Sequence, residues 1–371
     1  MRIFHYFLFE NFDPNQVRDH PGNPRRILSA PADALLSRVA DFLPRSCPSP
    51  LLREEFGSES VDRLIAAGAL REEGGRLCFD TPVFLAEDAP ALRRFAHEAS
   101  APLADRLWER REALWEIAGA VSSGFDPTVN LYFMLCGMVF DGLLFDRLSR
   151  RGSLAVSRPH ASGLDYLSVI YEDCSALQAF SDGLLCSYNR LTDGRTSLES
   201  FGDADGDRFD FYRCFRLRER GPLPEQWEEA GKLLDQLPGG EERAFLLAHT
   251  RALLAGEACD GRCLRLLELF GYVRDGKICV PVFREEDTQS VLRLGALVEE
   301  TIGSGLVRAL LPEESTPDIT AIRHGAAPLE VANELYHILF GGINESLAAR
   351  GLVAAPPRLP GEGRYRKCIR C

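Results

Sequence analysis

A pattern typical of a β-hairpin occurs twice in this chain, and the repetition limits what the chain can fold into. Residues 68–84 read GALREEGGRLCFDTPVF, and residues 271–283 read GYVRDGKICVPVF. In each stretch a turn dipeptide, Gly-Gly or Asp-Gly, separates two apolar runs, which is a strong short-range signal for a hairpin. We therefore predict two hairpins of the same kind in one chain.

Aligning the two stretches makes specific residues equivalent. The glycine before the first strand is Gly68 in one copy and Gly271 in the other. After the turn we match Cys78 with Cys279, and a two-residue insertion follows in the first copy before Pro82. Because a shift of one residue turns a strand side chain to the opposite face, this alignment predicts that the two cysteines face the same way.

Three helical segments precede each hairpin. In both copies apolar residues recur at helical spacing, and the third helix ends at the glycine that opens the hairpin. The first copy has ALLSRVADFL, PSPLLREEF and SESVDRLIAAG, and the second has WEEAGKLLDQL, EERAFLLAHTRALL and DGRCLRLLELFG. Three helices followed by a two-stranded hairpin resemble the winged helix-turn-helix superfamily. The resemblance covers residues 32–85 and 224–284, and it implies a mainly α fold with short β-hairpins, of the α+β class.

The repeat continues downstream as a pair of helices. NLYFMLCGMVFDGLL matches NELYHILFGGINESL, so that Leu131 corresponds to Leu335 and Leu135 to Leu339. The first of these helices is apolar nearly all round, which is typical of a helix buried on all sides, so we expect the four leucines to be buried. Many winged-helix regulators pair through flanking helices. The resemblance therefore implies a pseudo-dimer within one chain, or a homodimer.

Residues 160–222 have no partner in the second copy. LDYLSVIYED and RFDFYRCFRLRE both look like strands and predict a small inserted sheet, with which the C-terminal GRYRKCIRC is expected to pair. The predicted segments are an N-terminal extension (1–31), winged helix 1 (32–85), helical extension 1 (86–159), an inserted β-containing linker (160–222), winged helix 2 (223–284), helical extension 2 (285–351) and a basic C-terminal tail (352–371).

The composition is ordinary for a globular protein, with 371 residues, 45% hydrophobic and 26% charged. Eleven cysteines, an odd number, without a recognisable signal peptide predict reduced thiols and a cytoplasmic location. The most apolar helical stretch, residues 131–140, is shorter than a bilayer span, so no membrane partner is expected. The net charge of −12 argues against nucleic-acid binding over the whole surface.

In a winged helix the third helix enters the major groove of double-stranded DNA and the wing contacts its backbone. Residues 58–84 carry three arginines against five carboxylates, whereas residues 259–283 carry three arginines and a lysine against three carboxylates. Because phosphate neutralisation supplies most non-specific affinity, the second copy is the better candidate, and the basic tail adds cations. The candidate DNA-binding residues are Arg262, Arg265, Arg274, Lys277, Arg366 and Lys367.

Other motifs are weaker. Cys368 and Cys371 form a C-x-x-C, and with Cys259 and Cys263 they supply four thiolates that suit zinc, but Cys263 is predicted to face the core. The acidic run at residues 203–207 has its glycine misplaced for a calcium loop. GYVRDGKI lacks both the Ser/Thr and the strand–helix context of a phosphate-binding loop. We expect no metal and no cofactor.

Three hypotheses for the function remain. The first is a DNA-binding protein of tandem winged-helix build, a transcriptional regulator. The second is an acidic winged-helix module that binds another protein rather than DNA, which the net charge favours. The third is a small-molecule sensor or an enzyme that uses the inserted sheet. His160 and His324 lie in predicted loops without an acid or oxyanion motif, so an enzyme is not expected.

Overall fold

A computed structural model shows a mixed α+β protein that is about 53% helix and 16% strand. It describes residues 1–10, 12, 20–28, 30–43, 46–177, 180, 182–311 and 317–371. Parts of the predicted N-terminal extension, winged helix 1, the inserted linker and helical extension 2 therefore lie outside the described residues.

The first half of the chain holds most of the elements that the sequence predicts there. Its strands are β1 (Phe4–Glu10), β2 (Cys47–Pro48), β3 (Leu70–Glu73), β4 (Arg76–Phe79), β5 (Val83–Phe84), β6 (Arg158–Pro159) and β7 (Asp165–Glu172). Its helices are α1 (Pro24–Ile27), α2 (Ala30–Ala40), α3 (Ser49–Phe56), α4 (Ser58–Ala66), α5 (Ala89–Glu109), α6 (Arg111–Gly119), α7 (Pro127–Leu131), α8 (Phe145–Arg150) and α9 (Ser175–Leu177).

The second half repeats much of this order. Its strands are β8 (Ser187–Thr192), β9 (Ser197–Gly202), β10 (Val273–Arg274), β11 (Lys277–Ile278), β12 (Val282–Phe283), β13 (Arg358–Leu359) and β14 (Gly363–Arg370). Its helices are α10 (Phe211–Arg220), α11 (Glu228–Leu234), α12 (Glu242–Leu254), α13 (Gly261–Leu269), α14 (Thr288–Leu310), α15 (Thr320–Arg323) and α16 (Pro328–Ala349). A 3-10 turn follows each hairpin, at Ala86–Asp88 and at Glu285–Asp287.

The chain forms two compact units, each built from three separate segments. Unit 1 comprises Met1–Leu103, Phe145–Asp182 and Gly303–Leu339, and unit 2 comprises Ala104–Leu144, Gly183–Ile302 and Phe340–Cys371. Each unit therefore takes one hairpin with its three helices from one half of the sequence, and part of its helical framework from the other half.

The described residues of unit 1 form two sheets. In the larger one the strand order is β1-β7-β5, with β6 also paired to β7. Strand β1 is antiparallel to β7, and β5 is parallel to it. The smaller sheet, β2-β4-β3, contains the hairpin, on which α2, α3 and α4 pack. Leu36, Leu52, Val61 and Leu77 lie in the resulting core and are almost fully buried.

Unit 2 follows the same order around its own hairpin, β10-β11. Its larger sheet has the order β12-β14-β9-β8, in which β12 is parallel and β9 antiparallel to β14. Strands β14, β12 and β9 thus hold the places that β7, β5 and β1 hold in unit 1. Unit 2 has one further strand, β8, on the outer side of β9. The predicted pairing of the C-terminal strand with the insert is confirmed, since β14 pairs with β9.

The hairpins differ in length, which corrects the sequence alignment. Backbone hydrogen bonds close their bases, from Asp80 to the Ala69 carbonyl and from Cys279 to the Tyr272 carbonyl, both at 3.0 Å. Cys279 is therefore equivalent to Asp80 and not to Cys78. The first hairpin is longer by two residues in each strand, because antiparallel strands must lengthen together to remain paired.

The prediction of a strand at RFDFYRCFRLRE is wrong, because residues 211–220 form helix α10. The side chain of Asp210 caps the helix by accepting a hydrogen bond from the backbone of Arg213 at 2.7 Å. Phe211, Cys214 and Phe215 are buried, and their spacing of three and four residues is helical rather than alternating.

The apolar helix is longer than the ten residues seen in the sequence. Helices α7 and α8 join through a π-helical segment, Tyr132–Leu144, into one helix, Pro127–Arg150. By length and composition alone this helix could cross a membrane, but 67% of its apolar window is buried inside the protein, as in a core helix. The four matched leucines are at most 2% exposed, so their predicted burial is confirmed.

Candidate nucleic-acid interface

Arg262 makes its contacts at the N-terminus of helix α13. The Asp260 side chain accepts a hydrogen bond from the backbone N–H of Arg262 at 2.8 Å, as an N-cap residue does. The Arg262 guanidinium folds back on the same carboxylate, with Nη2 2.7 Å from Oδ2, and Nη1 donates to the carbonyl of Gln236. The hydrogen bond from Arg262 holds the pKa of Asp260 well below its ordinary value. Arg262 therefore stabilises the helix start, and its charge is largely balanced.

Three other candidates are exposed on α13 and on the hairpin β10-β11 that follows it, which is the predicted wing. Arg265 lies on the side of α13 opposite the buried residues Leu266 and Leu267. Arg274 and Lys277 are paired across the two wing strands and flank the turn. At that turn Asp275 has a φ of 52° and Gly276 of 72°, as a tight hairpin turn requires. The backbone N–H of Gly276 donates to Glu268 of α13 at 3.3 Å, so helix and wing form one exposed face.

The corresponding face of unit 1 carries the opposite charge. Counting back from Gly68 and Gly271, which end the third helices with φ of 64° and 69°, Asp62 stands where unit 2 has Arg265. Glu73 precedes the wing turn as Arg274 does. These positions explain why the first copy is a poor candidate for phosphate contacts.

Arg53 holds two of the carboxylates on this face of unit 1. Arg53 of α3 places Nη1 2.8 Å from Asp62 and Nη2 2.8 Å from Glu72, and thereby joins α3, α4 and the wing. Hydrogen bonds from Ser49 and Arg53 lower the pKa of the Glu72 carboxyl. Arg53 therefore holds Asp62 and Glu72 in place on this face.

Arg366 and Lys367 do not lie on a free tail. Both belong to β14, which has neighbours on either side in the sheet of unit 2. Arg366 donates to the carbonyls of Ala354 and Ala355. Lys367 donates through Nζ to the carbonyl of Phe270, the residue that ends α13. Burial lowers the pKa of Lys367 to about 8. These cations serve internal contacts, and Lys367 stabilises the C-terminus of α13.

The four cysteines considered for zinc differ in burial, since two are buried and two are partly exposed. Cys263 and Cys368 are buried, and burial raises the pKa of both thiols. The Cys368 thiol donates to the buried carboxylate of Glu199 at 3.7 Å. Within the described ranges no group of three or more His, Cys, Asp or Glu side chains is arranged to hold a metal ion.

The two loop histidines are both packed against aromatic rings. His160 stacks on Tyr166 with ring centroids 3.8 Å apart. His324 lies against Phe79, and neither ring nitrogen has a hydrogen-bond partner among the residues that the structure describes. Burial, with smaller contributions from Arg71 and Arg323, lowers the pKa of His324 to about 4. His324 is therefore neutral at physiological pH.

Arg158 connects three parts of unit 1. Its Nη2 lies 2.8 Å from Asp80 at the base of the hairpin, and its Nε lies 3.1 Å from Glu330 in α16. Burial raises the pKa of Glu330 to about 7. Sequence reasoning did not find this cluster, because its members are up to 250 residues apart in the chain.

Comparisons of the chain with family models, curated proteins and solved structures find no match.

Proposed function

We propose that this chain carries two winged-helix domains in tandem and that the second binds double-stranded DNA, in the manner of a transcriptional regulator. Support comes from the order of elements, which is the same in both units: three helices, a glycine in the left-handed region, a hairpin and a short parallel strand. Each unit also takes helical segments from both halves of the sequence, which supports a pseudo-dimer within the chain.

The observation that carries the DNA proposal is the exposure of Arg265, Arg274 and Lys277 on one helix and its wing. In a winged helix these are the elements that meet the major groove and the phosphate backbone. Among the residues that the structure describes, these three cations have no ion pair like the one between Arg262 and Asp260. Unit 1 has Asp62 and Glu73 at the equivalent positions of Arg265 and Arg274, so the proposal assigns DNA contact to unit 2 alone.

The test is binding of the full chain to a fluorescent random duplex, followed by anisotropy at low salt. The double change Arg274→Ala/Lys277→Ala should weaken binding, because it removes both wing cations. The control, Arg94→Ala/Arg293→Ala, removes the same charge from exposed positions on α5 and α14, and it should bind as the wild type does. Equal losses in the two variants would mean that only net charge matters, and the assignment to the wing would be wrong.

A second candidate function is the binding of a basic protein segment by the acidic face of unit 1. The observation that favours it is the fixation of Asp62 and Glu72 by Arg53, since fixed charges lose little freedom on binding. A lysine-rich peptide should then bind the full chain, and Asp62→Asn/Glu72→Gln should weaken that binding. Loss of peptide binding in Arg274→Ala/Lys277→Ala instead would contradict this candidate.

A further inference from the structure

Strand β1 forms one edge of the larger sheet of unit 1. Within the described residues it pairs with β7 and with no other strand. The backbone N–H of Asp173 donates to the carbonyl of Ile3 at 2.7 Å, and this bond shows which residues of β1 are hydrogen-bonded to β7. By that alternation His5, Phe7 and Phe9 direct their backbone groups towards β7, whereas Phe4, Tyr6 and Leu8 direct theirs to the outer edge.

The same edge is covered in unit 2. There β9 holds the place of β1, and β8 pairs with its outer side in antiparallel register, from Ser187 opposite Gly202 to Thr192 opposite Ser197. Unit 1 has no strand at the position of β8 among the residues that the structure describes. The fold therefore accepts an antiparallel strand at this edge, and in one of its two units it already has one.

The residues of β1 do not protect an open edge. Natural edge strands are usually guarded by lysines, other charges, prolines or bulges. Strand β8, the edge of the unit 2 sheet, is polar and includes Asn189 and Arg190. Strand β1 reads FHYFLFE, with a carboxylate only at its last residue, Glu10, and without lysine, arginine or proline, and Phe7 is 38% exposed.

We propose that the outer edge of β1 pairs with the β1 strand of a second copy of this chain, antiparallel and about a two-fold axis. In this register residues 4–10 of one copy pair with residues 10–4 of the other. Residues whose backbone groups face outward then lie opposite each other at both ends, so the hydrogen-bonding pattern of one strand matches that of the other. A two-fold arrangement uses the same surface on both partners, which an antiparallel self-pairing satisfies. No like charges oppose each other in this register.

This register places Phe7 of one copy directly opposite Phe7 of the other. The pair falls at a position without direct hydrogen bonds, where opposed Cα atoms approach to about 4.5 Å. That separation lies within the range that a disulfide can bridge. The distance between equivalent residues of the two copies grows with their distance from the two-fold axis. At a rise of about 3.4 Å per residue, the two Ile3 residues would lie about 27 Å apart.

The first experiment uses cysteine substitution in the full chain. Phe7→Cys should form a disulfide-linked dimer under mild oxidation, seen on a non-reducing gel and absent after reduction. Ile3→Cys is the matched control, since Ile3 is also exposed but lies away from the axis. The wild type reports any cross-linking through its eleven native cysteines. Equal cross-linking of the Ile3 and Phe7 variants, or none in either, would overturn the proposed register.

The second experiment measures association without a cross-link. By sedimentation the wild type should form a dimer of the 41.2 kDa chain, and Phe7→Lys should raise the dimer dissociation constant by about tenfold or more. Because Phe7 also packs edge-to-face on Tyr171, with ring centroids 5.7 Å apart, the circular-dichroism spectrum of the variant should match that of the wild type, which shows that the variant is folded. A wild type that remains monomeric at about 100 µM would rule out a second copy as the occupant, and the edge would then be available to a strand of another protein. The DNA measurement above is independent of this result.

Discussion

The carboxylate of Asp287 accepts hydrogen bonds from both the backbone amide and the hydroxyl of Ser122, at 2.8 Å each. In the same place in unit 1, Asp88 accepts hydrogen bonds from the amide and the hydroxyl of Thr320, at 2.8 and 2.9 Å. Each aspartate also closes the 3-10 turn that follows its hairpin. Within each unit, therefore, a buried aspartate joins the turn that follows the hairpin to a residue from the other half of the sequence.

Asp287→Ala should lower the free energy of unfolding of the chain by about 1–3 kcal/mol, because it removes a buried carboxylate that accepts hydrogen bonds from Ser122 and from the backbone of Arg284. Ser122→Ala should cost less, and the double variant should not add the two losses. Glu116→Ala, at an exposed position of α6, is the control and should stay within about 0.5 kcal/mol of the wild type. Urea titration provides the measurement. Additive losses would show that Asp287 and Ser122 do not act as a pair.

Leu135→Ala should destabilise the chain by about 2–5 kcal/mol, since the residue is fully buried and its truncation leaves a cavity. Leu329→Ala, which alters a leucine that is 46% exposed on α16, should change the stability little. Denaturant unfolding of both variants makes the comparison. A loss below about 1 kcal/mol for Leu135→Ala would contradict the burial of the long apolar helix.

Lys367→Met should remove a pH dependence of stability in the alkaline range. Burial lowers the pKa of Lys367 to about 8, whereas an unfolded chain keeps this proton to about pH 10.5. Between these values the unfolded state binds more protons, so the stability of the wild type gains from this group as pH rises, by at most about 1.4 kcal/mol per pH unit. The difference in unfolding free energy between the variant and the wild type should therefore change between pH 8 and 10. A constant difference would show that Lys367 titrates normally.

His324→Leu should flatten the stability profile on the acidic side. The pKa of His324 is lowered to about 4 from an ordinary value of 6.5, so the unfolded state binds more protons between these values. The wild type should then lose stability as pH falls from 6.5 to 4, and the variant should lose less. Thermal unfolding at several pH values compares the two. Parallel profiles would contradict the burial of a neutral imidazole at this position.

Local pattern accounts for most of what the sequence predicted correctly. Helices α3, α4 and α11 to α13 follow from apolar spacing and from glycines at their ends, because both signals act over a few residues. Helix α10 was missed because the aromatic residues from Phe209 to Phe215 also alternate like a strand. The helix signal there is the cap at Asp210 and the three-and-four spacing of Phe211, Cys214 and Phe215.

Longer-range features could not be predicted in the same way. The match of Cys78 with Cys279 followed residue identity, whereas hairpin length is constrained by pairing between the strands. Arg366 and Lys367 looked like free cations in a basic tail. Their engagement depends on the position of β14 between β12 and β9, which no local pattern specifies. The charge reversal between Asp62 and Arg265, by contrast, follows from the sequence match of Gly68 with Gly271, because both residues lie six positions before their glycine.

The salt dependence of DNA binding tests the central proposal most directly. Each phosphate contact adds about 0.9 to the magnitude of the slope of log affinity against log salt, so three contacts from Arg265, Arg274 and Lys277 predict a slope near 3 in magnitude. Anisotropy on a random duplex of about three helical turns, between low and physiological salt, should give this value for the wild type. The slope should be smaller by about 2 for Arg274→Ala/Lys277→Ala. Absence of binding by the wild type at low salt, or an unchanged slope in the variant, would contradict DNA binding by the second winged helix.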